Sequence, residues 1–147
     1  MKITKIDTDK KRYLDLLLLA DEQEDMIDHY LERGTLYVLD DDATVAIAIV
    51  THEGDGLLEL KNIAVSPQCQ RKGYGSKLID FIVNEYRGIY TKLQVGTGET
   101  PAILKFYEGC GFSLSHRVKN FFTDNYDHPI YEDGIQLKDM IYLQMNL

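Results

Sequence analysis

The run Gln70-Arg71-Lys72-Gly73-Tyr74-Gly75 is the stretch of this sequence whose residue types and spacing could do chemistry. Gly73 and Gly75 let the backbone approach a ligand closely and adopt conformations closed to other residues. Successive N–H groups in such a loop, running from Arg71 to Ser76 into a helix, form an anion cradle. Arg71 and Lys72 add positive charge to a chain whose net charge is −8. The chemistry is phosphate or pyrophosphate binding. Two familiar phosphate motifs do not fit. A nucleoside-triphosphate loop needs Gly-x-x-x-x-Gly-Lys-Ser/Thr, which is absent. A dinucleotide fingerprint needs a third glycine where Leu78 stands and an acidic residue about twenty positions on, near Leu93-Gln94.

The loop must be held by a strand before it and a helix after it, and the pattern supplies both. Leu57 to Val65 reads as a strand. From Gly75 to Tyr86, Leu78, Ile79, Ile82, Val83 and Tyr86 form an apolar stripe at helical spacing. Tyr90 to Val95 reads as the next strand, far enough away for a parallel crossover. Upstream, Lys2–Ile6 reads as a strand, Lys10–Ala20 and Gln23–Glu32 as helices, and Leu36–Leu39 and Thr44–Thr51 as a hairpin around Asp40-Asp41-Asp42. Downstream, Thr100-Pro101 caps a helix that stops at Gly109-Cys110-Gly111. Phe112–Phe121 and Lys138–Met145 read as strands around an irregular segment, Thr123 to Gly134. A mixed α/β (α+β) sheet covered by helices follows.

The 147 residues, 44% of them hydrophobic, suit one domain spanning 1–147 with a buried core. Met1 to Asp7 lacks the apolar centre of a signal peptide, and the run Leu16–Ala20 is too short to span a bilayer, so a cytoplasmic protein without membrane contact is expected. The acidic balance argues against nucleic-acid binding. It fits a cationic partner such as an amine, and equally a surface that only confers solubility. Cys69 and Cys110 have no metal-ligand spacing and are too few for a disulfide framework, so no metal is expected. Asp21, Glu22, Glu24 and Asp25, and separately Asp124, Asp127, His128, Glu132 and Asp133, could attract an amine; such charge-rich stretches are also ordinary solvated surface.

Ile63-Ala64-Val65-Ser66-Pro67, followed by Gln70-x-x-Gly73-x-Gly75 and Leu78, resembles the acetyl-CoA signature of the GNAT N-acetyltransferase superfamily. Tyr107-Glu108-Gly109-Cys110-Gly111-Phe112 resembles that superfamily's second signature, a helix ending Tyr-x-x-x-Gly-Phe. The resemblance covers nearly the whole chain. It implies a mostly antiparallel central sheet with one splayed parallel strand pair, flanked by helices. It also implies acetyl-CoA as acyl donor, transferred directly to a primary amine, with no metal and with a homodimer as a common assembly. Asn120 to Met140 is similar to a subgroup of small bacterial members whose acceptors are generally unassigned.

Residue roles follow from the resemblance. Backbone groups of Ile63, Ala64 and Val65 would pair with the pantetheine. Gln70, Arg71, Lys72, Gly73, Tyr74, Gly75 and Ser76 would hold the pyrophosphate. At Thr100, where many relatives carry an asparagine that steadies the pantetheine arm, the chain departs from the pattern, although a hydroxyl can still hydrogen-bond. Tyr107 would protonate the departing thiolate, and Glu59 would be the general base for the amine. Residues 59, 61, 63 and 65 share a strand face unless a bulge re-aims them. A small-molecule amine is the expected acceptor; a protein N-terminus or lysine, and a non-catalytic acyl-CoA sensor, are the alternatives.

Overall fold

A computed structural model describes every residue from Met1 to Leu147. Its strands are β1 (Lys2–Ile6), β2 (Thr35–Asp40), β3 (Thr44–His52), β4 (Leu57–Val65), β5 (Lys92–Gly98), β6 (Ser113–Val118), β7 (Tyr131–Glu132), β8 (Ile135–Gln136) and β9 (Met140–Asn146). The helices are α1 (Leu14–Ala20), α2 (Glu24–Asp28), α3 (Tyr74–Tyr86), α4 (Pro101–Gly109) and α5 (Phe121–Asn125). Seven strands form one sheet in the order β1-β2-β3-β4-β5-β9-β6, while β7 and β8 make a separate hairpin. Every neighbouring pair is antiparallel except β4–β5, as the crossover through α3 requires. None of the helices is long and apolar enough to cross a membrane.

Alternation along the central strands explains the layers. In β3, Ala46, Ala48 and Val50 face a core that includes Leu78, Ile79 and Ile82 of α3. Ile47 and Ile49 of the same strand face Leu17, Ile27 and Leu31 on the other side. β3 is therefore apolar at every position from Val45 to Val50, the mark of a strand covered on both faces. The sheet lies between α3 and α4 on one side and α1 and α2 on the other.

Several elements depart from their expected bounds. The first helical stretch opens as a 3-10 turn, Lys10–Tyr13, before α1. The second is helical only from Glu24 to Asp28, although Ile27, Tyr30 and Leu31 do bury one face as expected. Its last carbonyls turn to Lys10, whose ammonium donates to Leu31 O at 3.0 Å, Glu32 O at 3.3 Å and Gly34 O at 2.8 Å. β5 begins later and runs on to Gly98, because β9 pairs with it along its whole length. Its glycines give no strand signal but have a steric cause. A Cβ on Gly96 would stand 2.5 Å from Met140 Sδ, and one on Gly98 2.5 Å from Leu137 Cδ1. The strand expected over Phe112–Phe121 stops at Val118; Asn120, at φ 58°, turns the chain into α5.

Candidate active site

β4 and β5 are paired only from Leu57–Lys92 to Leu60–Val95. Beyond that point β4 follows β3 and β5 follows β9, so the sheet parts in a wedge. The facing edges, Lys61–Val65 and Gly96–Gly98, have no strand between them, leaving backbone donors and acceptors turned toward the gap. A cleft of ≈ 280 Å³ opens there, with Ile63, Ala64, Val65 and Gln70 on one wall and Ile103 and Tyr107 of α4 on the other. An extended chain bearing amide groups, such as a pantetheine arm, suits this slot.

At one end of the wedge stands the basic loop. Arg71 and Gly73 both take left-handed conformations, φ 64° and 85°. Glycine reaches that region freely, whereas for arginine it costs free energy that the surrounding fold must supply. The two turns end on α3, where Gly73 is the N-cap and no side chain caps the helix. The first N–H groups of α3, at Tyr74, Gly75 and Ser76, thus lack intrahelical acceptors and carry the positive end of the helix dipole. Arg71, Lys72 and Gly73 are exposed around them. Side chains play other parts: Gln70 Nε2 donates to Val65 O at 3.2 Å, tying the loop to β4, and Tyr74 Oη donates to Asp41 Oδ2 at 2.6 Å.

Tyr107 is 6% exposed and packs edge-on against Phe106 and Phe112, which fixes its ring. The Tyr107 hydroxyl makes no hydrogen bond within the chain, and the residue lines the cleft. Burial first, then the nearby Cys110 and Glu132, pushes its pKa up, so it stays a proton donor through the neutral range. Thr100 is buried outside the lining, its Oγ1 accepting from Ile103 N at 3.4 Å as the cap of α4.

Glu59 is not brought into the cleft. A bulge leaves Lys61 without a partner in β3, since Val50 faces Leu60 and Ile49 faces Asn62. Alternation is therefore lost just where the shared face of residues 59, 61, 63 and 65 needs it. Glu59 is 6% exposed, and its carboxylate accepts from Gln94 Nε2 at 2.7 Å and pairs with Lys61 Nζ at 2.8 Å. Lys61, in contrast, lines the cleft.

The far wall comes from two segments distant in sequence, the α1–α2 loop and the stretch from α5 to β8. Phe122, Tyr126, Ile130, Glu132 and Leu137 line the cleft opposite Asp21 and Glu22. Three contacts clasp the segments together. Tyr126 Oη donates to Asp21 Oδ1 at 2.6 Å, Asp127 N donates to Gln23 Oε1 at 3.1 Å, and His128 Nε2 lies 3.0 Å from Glu22 Oε1. Tyr30 Oη adds a donor to Asp21 Oδ2 at 2.9 Å. Even so, burial outweighs those hydroxyls and raises the Asp21 pKa. His128 is raised by its contacts with Asp127 and Glu22, which keeps it cationic to higher pH and strengthens the clasp. Phe122, Tyr126, Ile130 and Leu137 were missing from the residues expected at the site. Apolar residues flanking Asp133-Gly134, a strong hairpin signal, could have found Ile130 and Leu137.

No group of three or more His, Cys, Asp or Glu side chains is arranged to hold a metal ion. Cys69 and Cys110 are both free thiols.

Comparison with known proteins agrees with this geometry. A family model described as an acetyltransferase (GNAT) domain matches residues 32–114. An uncharacterized N-acetyltransferase of Bacillus subtilis (strain 168), YvbK, is 36% identical over 136 residues, covering 90% of this chain and 88% of its own. A crystal structure of a GNAT family acetyltransferase from Elizabethkingia anophelis with acetyl-CoA bound superposes with a TM-score of 0.93 at 36% identity, covering 99% of this chain and 97% of that one. A Bacillus subtilis acetyltransferase crystallised in complex with CoA gives 0.90 at 32% identity, with 99% and 98% covered.

Proposed function

This chain belongs to the GNAT family of N-acetyltransferases, and from that premise we propose that it transfers the acetyl group of acetyl-CoA to a primary amine on a small molecule. The observation that carries the small acceptor is the clasp. The stretch from α5 to β8 is fastened to the α1–α2 loop across the cleft, which suits a compact amine better than a peptide lying in an open groove. Asp21, Glu22 and Glu132 line that end, where the one lysine, Lys61, is already paired with Glu59. An acidic pocket favours a cation.

The donor's place in this reading follows from the parted strands and the loop. The free N–H groups at the start of α3, with Arg71 and Lys72, would hold the pyrophosphate, and the open edge at Ile63–Val65 would hold the pantetheine amides. Acetyl-CoA supplies an activated thioester carbonyl. An N–H of the β4 edge would stabilise the negative charge that builds on the carbonyl oxygen during attack. Tyr107 would give its proton to the departing sulfur. Tyr107→Phe is expected to lower kcat about a hundredfold while leaving the calorimetric affinity for acetyl-CoA within about twofold of wild type. An unchanged kcat removes Tyr107 from the chemistry.

Glu59, the base expected from the resemblance, would act by holding Lys61 in the cleft wall, because its carboxylate is occupied. Glu59→Gln is then expected to cost about tenfold in kcat/KM, uniformly across pH. A loss at neutral pH that is repaired at high pH would instead mark Glu59 as the base.

Isothermal titration with acetyl-CoA, followed by thiol release over panels of small amines and of peptides, tests the function. Acceptor-dependent release with small amines supports it. Release only with peptides transfers the acceptor to a protein, and binding without release from any acceptor makes the chain a sensor.

A further inference from the structure

The geometry points to Glu132 as the group that takes the proton from the attacking amine, a role that rests on the acetyl-transfer reading above. Glu132 sits on a two-strand hairpin whose turn, Asp133 at φ 50° and Gly134 at φ 76°, has both central residues left-handed. Such a turn fixes the register of its short arms, so the side chains alternate predictably. Tyr131 points out to solvent, whereas Glu132 turns inward and lines the cleft. The base of the hairpin is anchored by Ile130 and Leu137, which bury against Phe122 and join through Leu137 N donating to Ile130 O at 2.8 Å. A carboxylate on a rigid, anchored arm is well placed to meet a bound substrate.

Two features separate Glu132 from the other carboxylates at the cleft. Asp21 accepts from two tyrosine hydroxyls, and Glu22 is paired with His128. Glu59 is paired with Lys61 outside the lining. Glu132 makes no hydrogen bond or ion pair with the chain, although it is half-buried. It shares the cleft with Tyr107, the thiolate's proton donor, and is near enough to raise that hydroxyl's pKa. Acid and base thus face one reaction space.

The charged and titratable groups around it set its basicity. Asp21 and Glu22 approach from the α1–α2 loop, Lys61 from β4, Tyr107 from α4, Tyr126 from the end of α5, and Asp133 from the same turn. Burial first, then Asp133 and Glu22, pushes the Glu132 pKa up. A carboxylate raised in this way is a better proton acceptor.

The proton balance closes. An acceptor entering as R–NH3+ gives one proton to the Glu132 carboxylate, and the freed lone pair forms the N–C bond to the thioester carbonyl. The C–S bond then breaks. Tyr107 gives its proton to the sulfur and recovers one from the nitrogen, which leaves as the neutral amide. Glu132 releases its proton to solvent.

Wild type, Glu132→Gln, Glu132→Asp and Glu59→Gln are compared by kcat/KM against pH over a panel of aliphatic, aromatic and diamine acceptors, with acetyl-CoA affinity measured separately by calorimetry. Wild-type activity should fall toward acid pH as the Glu132 carboxylate takes up its proton. Glu132→Gln should lose about a hundredfold at pH 7 and regain about tenfold per pH unit toward the amine's own pKa. Its acetyl-CoA affinity should stay within about twofold of wild type, and Glu132→Asp should restore part of the rate. A Glu132→Gln profile parallel to wild type, or the pH-dependent loss appearing in Glu59→Gln instead, overturns the assignment. Wild type that binds acetyl-CoA but releases no thiol with any acceptor overturns the acetyl-transfer reading, and the assignment with it.

Discussion

Gly75→Trp is expected to weaken acetyl-CoA binding about a thousandfold, or about 4 kcal/mol, while far-ultraviolet circular dichroism stays that of wild type. Gly75 has ordinary helical backbone, so the effect comes from the space its missing side chain leaves and not from strain. A Cβ there would lie 3.3 Å from Phe106 Cζ and 3.8 Å from Val65 Cγ2, between the start of α3 and the cleft. An indole in that position would cover the open N–H groups of the first turn. Losing two charge-assisted hydrogen bonds at about 1.5–3 kcal/mol each accounts for the magnitude. Gly75→Ala is the control: its single methyl meets only the rim of a phenyl ring that can shift, so binding should change by less than about threefold. Calorimetry on both variants decides the matter. Full affinity in Gly75→Trp would move the pyrophosphate elsewhere.

Lys10→Met is expected to cost about 2–4 kcal/mol of stability and to lower Tm by about 10 °C, read by urea and thermal unfolding. The aliphatic stem would survive, since methionine matches it in length, so the loss isolates the ammonium. Lys10 is 7% exposed, and its ammonium donates to three carbonyls at the end of the turns following α2. Without it the Leu31 and Gly34 oxygens are left buried without that donor. Asp21 and Glu22 lie on the loop between α1 and α2, so a loosened cleft wall should accompany the loss. A change below about 0.5 kcal/mol would mean that water replaces the ammonium.

Local pattern carried the reading of the sheet and of the loop that leads into α3. β1, β4 and α3 fall within a residue of their expected bounds because alternation and helical spacing are properties of the segment itself. The glycine turn at the start of α3 was legible for the same reason: its glycines and the helix behind it act within a few residues. Features that depend on distant partners were not. The helix expected over Gln23–Glu32 has the right buried face, but its end is set by Lys10 from another element. β5 reaches Gly98 only because β9 lies beside it, and glycine conceals that pairing. The bulge that turns Glu59 behind the cleft wall follows from register with β3 and leaves no mark in the strand's composition. At the clasped end of the cleft, Glu132 stood among several acidic residues, and only the docking of its hairpin distinguishes it from them.

The parted strands have a mechanical consequence. The sheet is two smaller sheets, β1 to β4 and β5-β9-β6, sewn edge to edge by four residue pairs. Past that seam its interior contains a raw edge, the kind that proteins otherwise cover or blunt. A ligand lying in the seam is then a missing strand as much as a reactant. Its binding energy adds to folding, by about 2.7 kcal/mol when it is present at a hundred times its dissociation constant. For this enzyme, the supply of donor would govern how firmly the two halves are held together as well as how fast they work.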